Sequence, residues 1–192
     1  MAVTVESTLG GKLTWNDYLD FPEDGRRHEI VDGEHHVTAS PALTHQRVSK
    51  HVHFQLYEQI ERQGKGEVFA APTAVQLSDF DVVEPDLLVV LAQHDGLLKE
   101  TRVAGPPDLV VEILSPSSRR LDRRIKLALY QRAGVHEYWI VDPVEQEVEK
   151  YRRQGNLLVR VGVFGERIAF DGLPGVVVDL NAVWDPPWRR RE

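Results

Sequence analysis

The stretch PDLVVEIL, residues 107–114, constrains the fold more than any other part of the chain. Side chains alternate between the two faces of a strand, so Val110, Glu112 and Leu114 share one face and the opposite face carries only apolar side chains. A strand that is apolar on both faces belongs in the interior of a sheet. Glu112 is the anomaly in this strand, because a buried carboxylate is costly unless a partner compensates it.

The residues after this strand predict a helix and then a second buried strand. The helix SSRRLDRRIKLALYQRAGV has Ser117 or Ser118 as its N-cap and ends at Gly134. The strand HEYWIVDP follows and ends in a turn at Asp142. A helix that crosses between two apolar strands favours a parallel strand pair covered by that helix.

The other patterns predict the remaining elements. A short helix begins after Thr14, and a hairpin turns at Asp32 and Gly33. A long helix then carries apolar residues every four positions, at Val48, Val52, Leu56 and Ile60. EVFAAPTAVQLS, which breaks near Pro72, and VVEPDLLVVLAQ are strands, and EVEKYRR, LLVRVGVF and GVVVDL form a terminal meander. We therefore expect the α/β (α+β) class: a mixed β-sheet flanked by α-helices, with an N-terminal hairpin and C-terminal antiparallel strands.

The composition narrows the class of protein. A chain of 192 residues with 42% hydrophobic residues predicts one domain over residues 1–192. The absence of cysteine excludes disulfides, thiolate metal sites and cysteine nucleophiles. The start of the chain lacks a signal-peptide pattern, and no apolar run approaches the roughly 18 residues of a membrane span, so we expect a cytoplasmic protein. The net charge of -7 argues weakly against non-specific binding of polyanions.

Two further acidic residues lie in apolar strand patterns. Asp86 shares a face with Leu88, and Glu29 of the hairpin shares a face with Val31. Each has an ordinary explanation when it is taken alone: Asp86 would be a turn residue after Pro85, and Glu29 would be a solvated hairpin residue. Glu112 would pair with an arginine at the start of the next helix, for which the candidates are Arg119 and Arg120.

Two stripes run along the helix that follows Glu112. The apolar stripe consists of Leu121, Ile125, Ala128 and Leu129. The neighbouring stripe, offset by one residue, consists of Asp122, Lys126 and Tyr130. Lys126 therefore lies on the flank of the helix, near the core boundary. The alternative is an exposed i,i+4 ion pair between Asp122 and Lys126, worth only about 0.3–0.5 kcal/mol.

Taken together, the acidic residues and the lysine favour metal-assisted hydrolysis of phosphodiester bonds. Neighbouring carboxylates repel one another, and their pKa values rise unless a cation neutralises them. A hard divalent ion does so through oxygen ligands, and a nearby lysine can orient water or stabilise developing negative charge.

Four segments resemble a known family. VEPDLLVV, DLVVEILSPSSRRLDRRIKLALYQRAGVHEYWIVDP, RHEIVDGE and SPALTHQRVSKHVHFQLYEQI are similar to the Uma-two (Uma2) family of putative restriction endonucleases, within the PD-(D/E)XK nuclease superfamily. The resemblance covers roughly residues 13 to 180. It implies a restriction-endonuclease-like fold and Mg²⁺-dependent cleavage of DNA, with Mn²⁺ as a substitute.

The resemblance also implies roles for particular residues. Asp86 matches the aspartate of the PD element and Glu112 the second acidic residue, so these two would bind the metal. Glu29 matches the acidic residue of the N-terminal region, and as a catalytic residue it would bind a second metal or position a water. The superfamily pattern expects lysine where Leu114 stands, and Lys126 resembles a migrated replacement.

Two alternatives and one assembly state complete the expectations. A non-catalytic DNA-binding or assembly module could keep the nuclease fold, which the net charge and Leu114 favour. The second alternative is a hydrolase that uses histidines. The sequence contains no HExxH pattern, although His45 at a helix start would approach a substrate phosphate. A nuclease that cuts both DNA strands favours a homodimer, with the terminal strands and Trp184 or Trp188 in its contact area.

Overall fold

A computed structural model gives the structure of the protein for residues 3–5 (backbone only), 11–115, 119 and 121–185. Ser117, Ser118, Arg120 and Trp188 lie outside the described residues. The strands are β1 Val3–Val5, β2 Arg27–Val31, β3 Glu34–Thr38, β4 Gly66–Ala70, β5 Val75–Ser78, β6 Asp81–Val83, β7 Leu87–Leu91, β8 Val103–Ala104, β9 Leu109–Ile113, β10 Glu137–Asp142, β11 Glu147–Gln154, β12 Leu157–Phe164, β13 Arg167–Ala169 and β14 Val177–Asp179.

Helices complete the architecture. They are α1 Trp15–Tyr18, α2 Leu43–Gln59, a 3-10 helix Ala92–Leu97, a π-helical turn Leu121–Lys126 that continues into α3 Leu127–Ala133, and α4 Leu180–Trp184. The predicted start of α1 is confirmed, because Thr14 and Asp17 form a capping box. Gly134 ends α3 in the left-handed conformation, with φ of 97°, as a helix-terminating glycine does. Within the described residues, no helix is both long and apolar enough to cross a membrane.

Two six-stranded sheets and a strand pair form the framework. The central sheet has the order β12-β11-β10-β9-β7-β4, and its β9 and β10 are parallel. The N-terminal sheet has the order β1-β3-β2-β6-β5-β8, and β13 pairs with β14. Helices flank these mixed sheets, so the predicted fold class is confirmed, with more sheets than the sequence indicated.

The central sheet separates two hydrophobic cores. One core contains α2, α4 and Leu109, Val111 and Ile113 of β9. The other contains α3, strands of the N-terminal sheet and Val110 and Leu114. The predicted alternation along residues 107–114 is therefore confirmed, and Glu112 points toward the side of α3 and the N-terminal sheet.

Two strand predictions were wrong in extent. VVEPDLLVVLAQ is divided at residues 84–86 between β6 of the N-terminal sheet and β7 of the central sheet, because Pro85 cannot donate to a sheet ladder. GVVVDL pairs with Arg167–Ala169 as a separate strand pair, whereas the predicted meander is limited to β11 and β12. The break predicted near Pro72 is confirmed, and β4 and β5 lie in different sheets.

The buried face of the helix after β9 also differs from the prediction. Ile125 is 39% exposed and Ala128 is exposed, whereas Asp122 and Lys126 are buried. A π-helical turn is wider than an α-helical one and rotates the residues before α3 relative to a regular helix. The polar stripe thereby faces the core and part of the predicted apolar stripe faces outward.

This rotation predicts a difference between two apolar residues. We expect Leu129→Ala to lower the free energy of unfolding by about 2–5 kcal/mol, because it leaves a cavity in the core. Ile125→Ala should change it by about 0.5 kcal/mol or less, as at other surface positions. Urea denaturation of both variants measures the difference, and a larger loss at Ile125 would favour the regular helix that the sequence predicted.

Candidate functional site

Asp86 and Glu112 lie opposite each other on neighbouring segments. Leu87 pairs with Val111 in the antiparallel ladder of β7 and β9, so the next position brings Asp86 opposite Glu112. The backbone N–H of Ile113 donates to Asp86 Oδ2 at 2.7 Å. Both carboxylates are buried, with exposed fractions of 3% and 2%. One end of the paired strands β7 and β9 therefore holds two buried acids side by side.

The Lys126 ammonium lies among three carboxylates. Its Nζ donates to Glu29 Oε1 at 2.8 Å and to Glu112 Oε1 at 3.0 Å. Asp122 Oδ1 is 3.8 Å away. Burial opposes the charge of Lys126, but the negative charges of Glu112, Glu29 and Asp122 raise its pKa. Lys126 is thus a buried, protonated cation, and the exposed i,i+4 pair considered from the sequence is excluded.

Asp86 has its own partners. Arg27 NH2 donates to Asp86 Oδ1 at 2.8 Å, and His45 Nε2 lies 3.0 Å from Asp86 Oδ2. Burial acts to raise the pKa of Asp86, but the hydrogen bond from His45 and the charge of Arg27 outweigh it and lower the pKa to about 2. Asp86 is therefore ionised at neutral pH.

Glu112 differs from Asp86 in its electrostatics. Burial raises the pKa of Glu112 to about 8, and the charges of Asp122, Asp86 and Glu29 add to this against the opposing effect of Lys126. Its Oε1 also accepts a hydrogen bond of 2.7 Å from the Tyr130 hydroxyl. A proton or a cation near Glu112 is therefore favourable at neutral pH.

Glu29 approaches Lys126 from the N-terminal sheet. Its Oε1 accepts from Lys126 and from the backbone N–H of Glu84, the latter at 2.9 Å. Its Oε2 is buried and has no hydrogen-bond partner among the described residues. Glu29 thus supports Lys126 from inside the protein and is 1% exposed.

A cavity of about 180 Å³ opens beside these groups. Its lining residues are Arg27, Thr38, Ala39, Ser40, Pro41, Ala42, His45, Asp86, Glu112, Ile113, Ser115, Leu121, Asp122 and Lys126. Residues that directly precede α2 form part of the wall, so the positive end of the dipole of this 17-residue helix lies at the cavity. The cavity thus combines carboxylate oxygens with groups that attract an anion.

The charges and the donor types fit a divalent cation. Four carboxylates face two cationic side chains, Arg27 and Lys126, which leaves two negative charges when all are ionised. Carboxylate oxygens are ligands that Mg²⁺ prefers. In the part of the chain that the structure describes, no three acidic or histidine side chains already form a metal cage. A metal at Asp86 Oδ1 would therefore lie directly beside the Arg27 guanidinium.

The sequence interpretation identified some of these residues and missed others. Of the candidates, Asp86, Glu112 and Lys126 line the cavity and Glu29 contacts Lys126, while their catalytic and metal-binding roles stay predictions. Arg27 was missed, although it shares a strand face with Glu29.

Of the two arginines proposed as partners for Glu112, Arg120 lies outside the described residues and Arg119 has a different partner. Arg119 pairs with Asp142 at 3.0 Å instead. Tyr130 was placed beside Lys126 on the helix, but nothing in the sequence identified its hydrogen bond to Glu112.

The fold and the buried acid–lysine cluster define a protein of the restriction-endonuclease-like class. A crystal structure of "a putative nuclease belonging to DUF820" from Anabaena variabilis is similar in fold, with a TM-score of 0.72, 20% identity, and coverage of 90% of this chain and 97% of that one. The family model Uma2, described as "Putative restriction endonuclease", matches residues 15–181. The chain belongs to this family.

A relative is known from Synechocystis. The uncharacterized protein slr1290 is 27% identical over 145 residues, which cover 74% of this chain and 75% of that protein.

The raised pKa of Glu112 predicts the pH dependence of stability. Its pKa is higher in the folded protein, about 8, than the ordinary value of 4.5, so the folded state binds the proton more tightly. The free energy of unfolding should therefore fall between about pH 5 and 8, with a slope of at most about 1.4 kcal/mol per pH unit from this group.

Glu112→Gln removes this titration, so its stability should decline less over the same range. Urea denaturation at several pH values, without divalent ions, measures the effect. Glu100→Gln, at an exposed position, is the control and should keep the wild-type profile. A profile of Glu112→Gln that parallels the wild type would contradict the expectation.

Proposed function

We propose that the protein is a Mg²⁺-dependent endodeoxyribonuclease that hydrolyses phosphodiester bonds of DNA at the cavity described above. The observation that carries the proposal is the buried pair Asp86 and Glu112 beside a fully buried lysine. Burial of these charged groups costs desolvation free energy. Buried ionisable groups in a cleft concentrate at functional sites. Membership in a family of nuclease-like proteins supports the same chemistry.

Mg²⁺, with Mn²⁺ as a substitute, is the proposed cofactor. Asp86 and Glu112 would hold it, together with the main-chain carbonyl of Ile113, and it would supply Lewis-acid stabilisation of phosphate charge. The raised pKa of Glu112 supports this role, since a cation would favour its ionised form.

The other residues of the cavity would act on water and phosphate. Lys126 would orient the attacking water or stabilise the charge that develops on the phosphoryl oxygens. Glu29 and Asp122 would hold the Lys126 ammonium in position. The start of α2 and the Arg27 guanidinium attract an anion, so a phosphate would be stabilised at this wall of the cavity.

A non-catalytic DNA-binding or assembly module is the second candidate. It is favoured by the ion pairs of Lys126 and Arg27, which already compensate two of the four carboxylate charges without a metal. A module of this kind would need no divalent ion. Stabilisation of the fold by Mn²⁺ that depends on Asp86 therefore separates the two functions.

Cleavage of DNA is the direct test. We expect the purified protein to nick or linearise plasmid in Mn²⁺ but not in EDTA, and Asp86→Asn to lower the rate by about 100-fold or more, as loss of an essential charge-stabilising group does. Branched and linear DNA in parallel would reveal a preference for structure.

Asp108→Asn is the matched control. Asp108 is also buried, at the opposite end of the β9 segment, where it pairs with His94 away from the cavity. We expect this variant to keep cleavage and metal-induced stabilisation. Equal loss in both variants would attribute the effect to folding, and no metal-dependent cleavage by the wild type would contradict the nuclease proposal.

We also propose a homodimer, since two sites would cut both DNA strands. The edge strand β12 offers a contact area, because Leu157, Val159, Val161 and Val163 are 37–56% exposed. Among the described strands, β12 pairs only with β11, so its other side is available for pairing. Trp184, by contrast, uses its indole N–H within the chain, on the Gly165 carbonyl.

Light scattering at tens of micromolar tests the assembly. We expect a mass of two chains for the wild type and of one chain for Val159→Lys, because a charge on an edge strand opposes pairing. Val144→Lys, at a position that is 75% exposed in the turn after β10, should remain dimeric. A monomeric wild type would remove the homodimer.

A further inference from the structure

Both oxygens of Asp86 are engaged by the protein itself. Oδ2 accepts from the Ile113 N–H at 2.7 Å and lies 3.0 Å from His45 Nε2. Oδ1 accepts from Arg27 NH2 at 2.8 Å. Oδ2 has two partners and Oδ1 has one, so a divalent cation that bound Asp86 would approach Oδ1 directly beside the Arg27 guanidinium. The Ile113 N–H belongs to the sheet and cannot move without breaking it, so the side-chain partners are the ones that can yield.

Arg27 and Lys126 differ in their freedom to move. The Lys126 side chain is 2% exposed and lies among three carboxylates. The Arg27 side chain is 19% exposed, and its hydrogen bond in the site goes to Asp86. Of these two cations, Arg27 is therefore the one that can leave its carboxylate at lower cost.

Space for a displaced guanidinium lies next to the site. A second cavity of about 240 Å³ is also lined by Arg27, together with Arg26, Ser40, Gln46 and Glu84 among others. Arg27 and Ser40 line both cavities, so the Arg27 side chain lies between the two spaces. Glu84 gives this second space a negative charge that would accommodate the guanidinium.

We propose that Arg27 is an exchangeable cation: it occupies Asp86 in the metal-free protein, yields Oδ1 to a divalent ion, and then binds the phosphate of the substrate. The inference rests on the proposed function, because it concerns the metal and the DNA of the same site. It adds that Arg27 competes with the metal and contributes to DNA binding, which makes Arg27 both a regulator of metal affinity and a substrate contact.

The physical reason is charge. A divalent ion on Asp86 and a guanidinium on the same carboxylate would repel each other in a poorly solvated site. The guanidinium geometry that suits a carboxylate also suits a phosphate, so one side chain can serve both partners in turn. When the metal takes the Asp86 carboxylate from Arg27, the phosphate of the DNA supplies a new negatively charged partner for the guanidinium. Binding of metal and DNA should therefore be cooperative.

Titration calorimetry with Mn²⁺ on EDTA-treated protein tests the competition. We expect Arg27→Ala to bind Mn²⁺ about tenfold more tightly than the wild type, since a hydrogen bond to a charged group no longer has to be broken. Arg26→Ala is the matched control: Arg26 lines the second cavity but pairs with Asp24, so its metal affinity should equal that of the wild type.

The outcomes separate the inference from the proposed function. Tighter binding by Arg27→Ala than by wild type and Arg26→Ala, or binding by Arg27→Ala alone, supports the exchange. Equal or weaker binding by Arg27→Ala, while the wild type binds Mn²⁺, overturns the exchange and leaves the metal site standing. Absence of Mn²⁺ binding in every variant overturns both.

Two further measurements cover DNA contact and the chance that Arg27→Ala fails to fold. Arg27→Gln keeps a hydrogen-bond donor for Asp86, and in Mn²⁺ its affinity for a fluorescent DNA duplex with uncleavable phosphorothioate linkages should be several-fold lower than that of Arg26→Gln.

In the wild type, the Nε–H resonance of Arg27, assigned by its loss in Arg27→Gln, should shift with Mg²⁺ and again with the duplex. A resonance unchanged by Mg²⁺ in a protein that binds the ion would overturn the exchange.

Discussion

The site and much of the surrounding structure depend on the ion pairs of the Lys126 ammonium with three carboxyl groups. The ammonium joins Glu29 of the N-terminal sheet, Glu112 of the central sheet and Asp122 of its own π-helical turn. A buried ion pair of this kind costs desolvation on every partner, and removal of one partner leaves an uncompensated charge that typically costs about 3–5 kcal/mol. The packing of the N-terminal sheet against the central sheet is therefore coupled electrostatically to the geometry of the site.

A second connection runs through the same strand of the hairpin. Arg27 and Glu29 lie two residues apart on β2, so both point to one face, where Arg27 contacts Asp86 and Glu29 contacts Lys126. One strand thereby supplies a cation to an acid of the central sheet and an acid to the cation of the helix. The hairpin is thus part of the site, and its register decides whether the two opposite charges reach their partners.

The sequence predicted the elements that depend on local patterns and missed those that depend on tertiary contacts. The alternation along residues 107–114, the Thr14 cap and the Gly134 helix end are local and were confirmed. Periodicity could not reveal that β6 and β7 belong to different sheets, because the partner of a strand is set by distant residues. Strand parity placed Asp86 and Glu112 on apolar strand faces, whereas helix spacing placed Lys126 only on the flank of its helix. Arg27 stood on the strand face of Glu29 and was still overlooked, since an arginine in a predicted hairpin is ordinary.

The π-helical turn brings Lys126, a residue of the helix, to the carboxylates of Glu29 and Glu112. Leu114 occupies the hydrophobic core on the α3 side, where a lysine would meet apolar neighbours. In a regular helix with the predicted apolar stripe, Lys126 would lie at the edge of the buried face. The wider turn over Leu121–Lys126 brings Asp122 and Lys126 inward and Ile125 outward, at the cost of exposing an apolar side chain. The inward rotation places the ammonium beside Glu29, Glu112 and Asp122, so the irregular helix and the position of the lysine depend on each other.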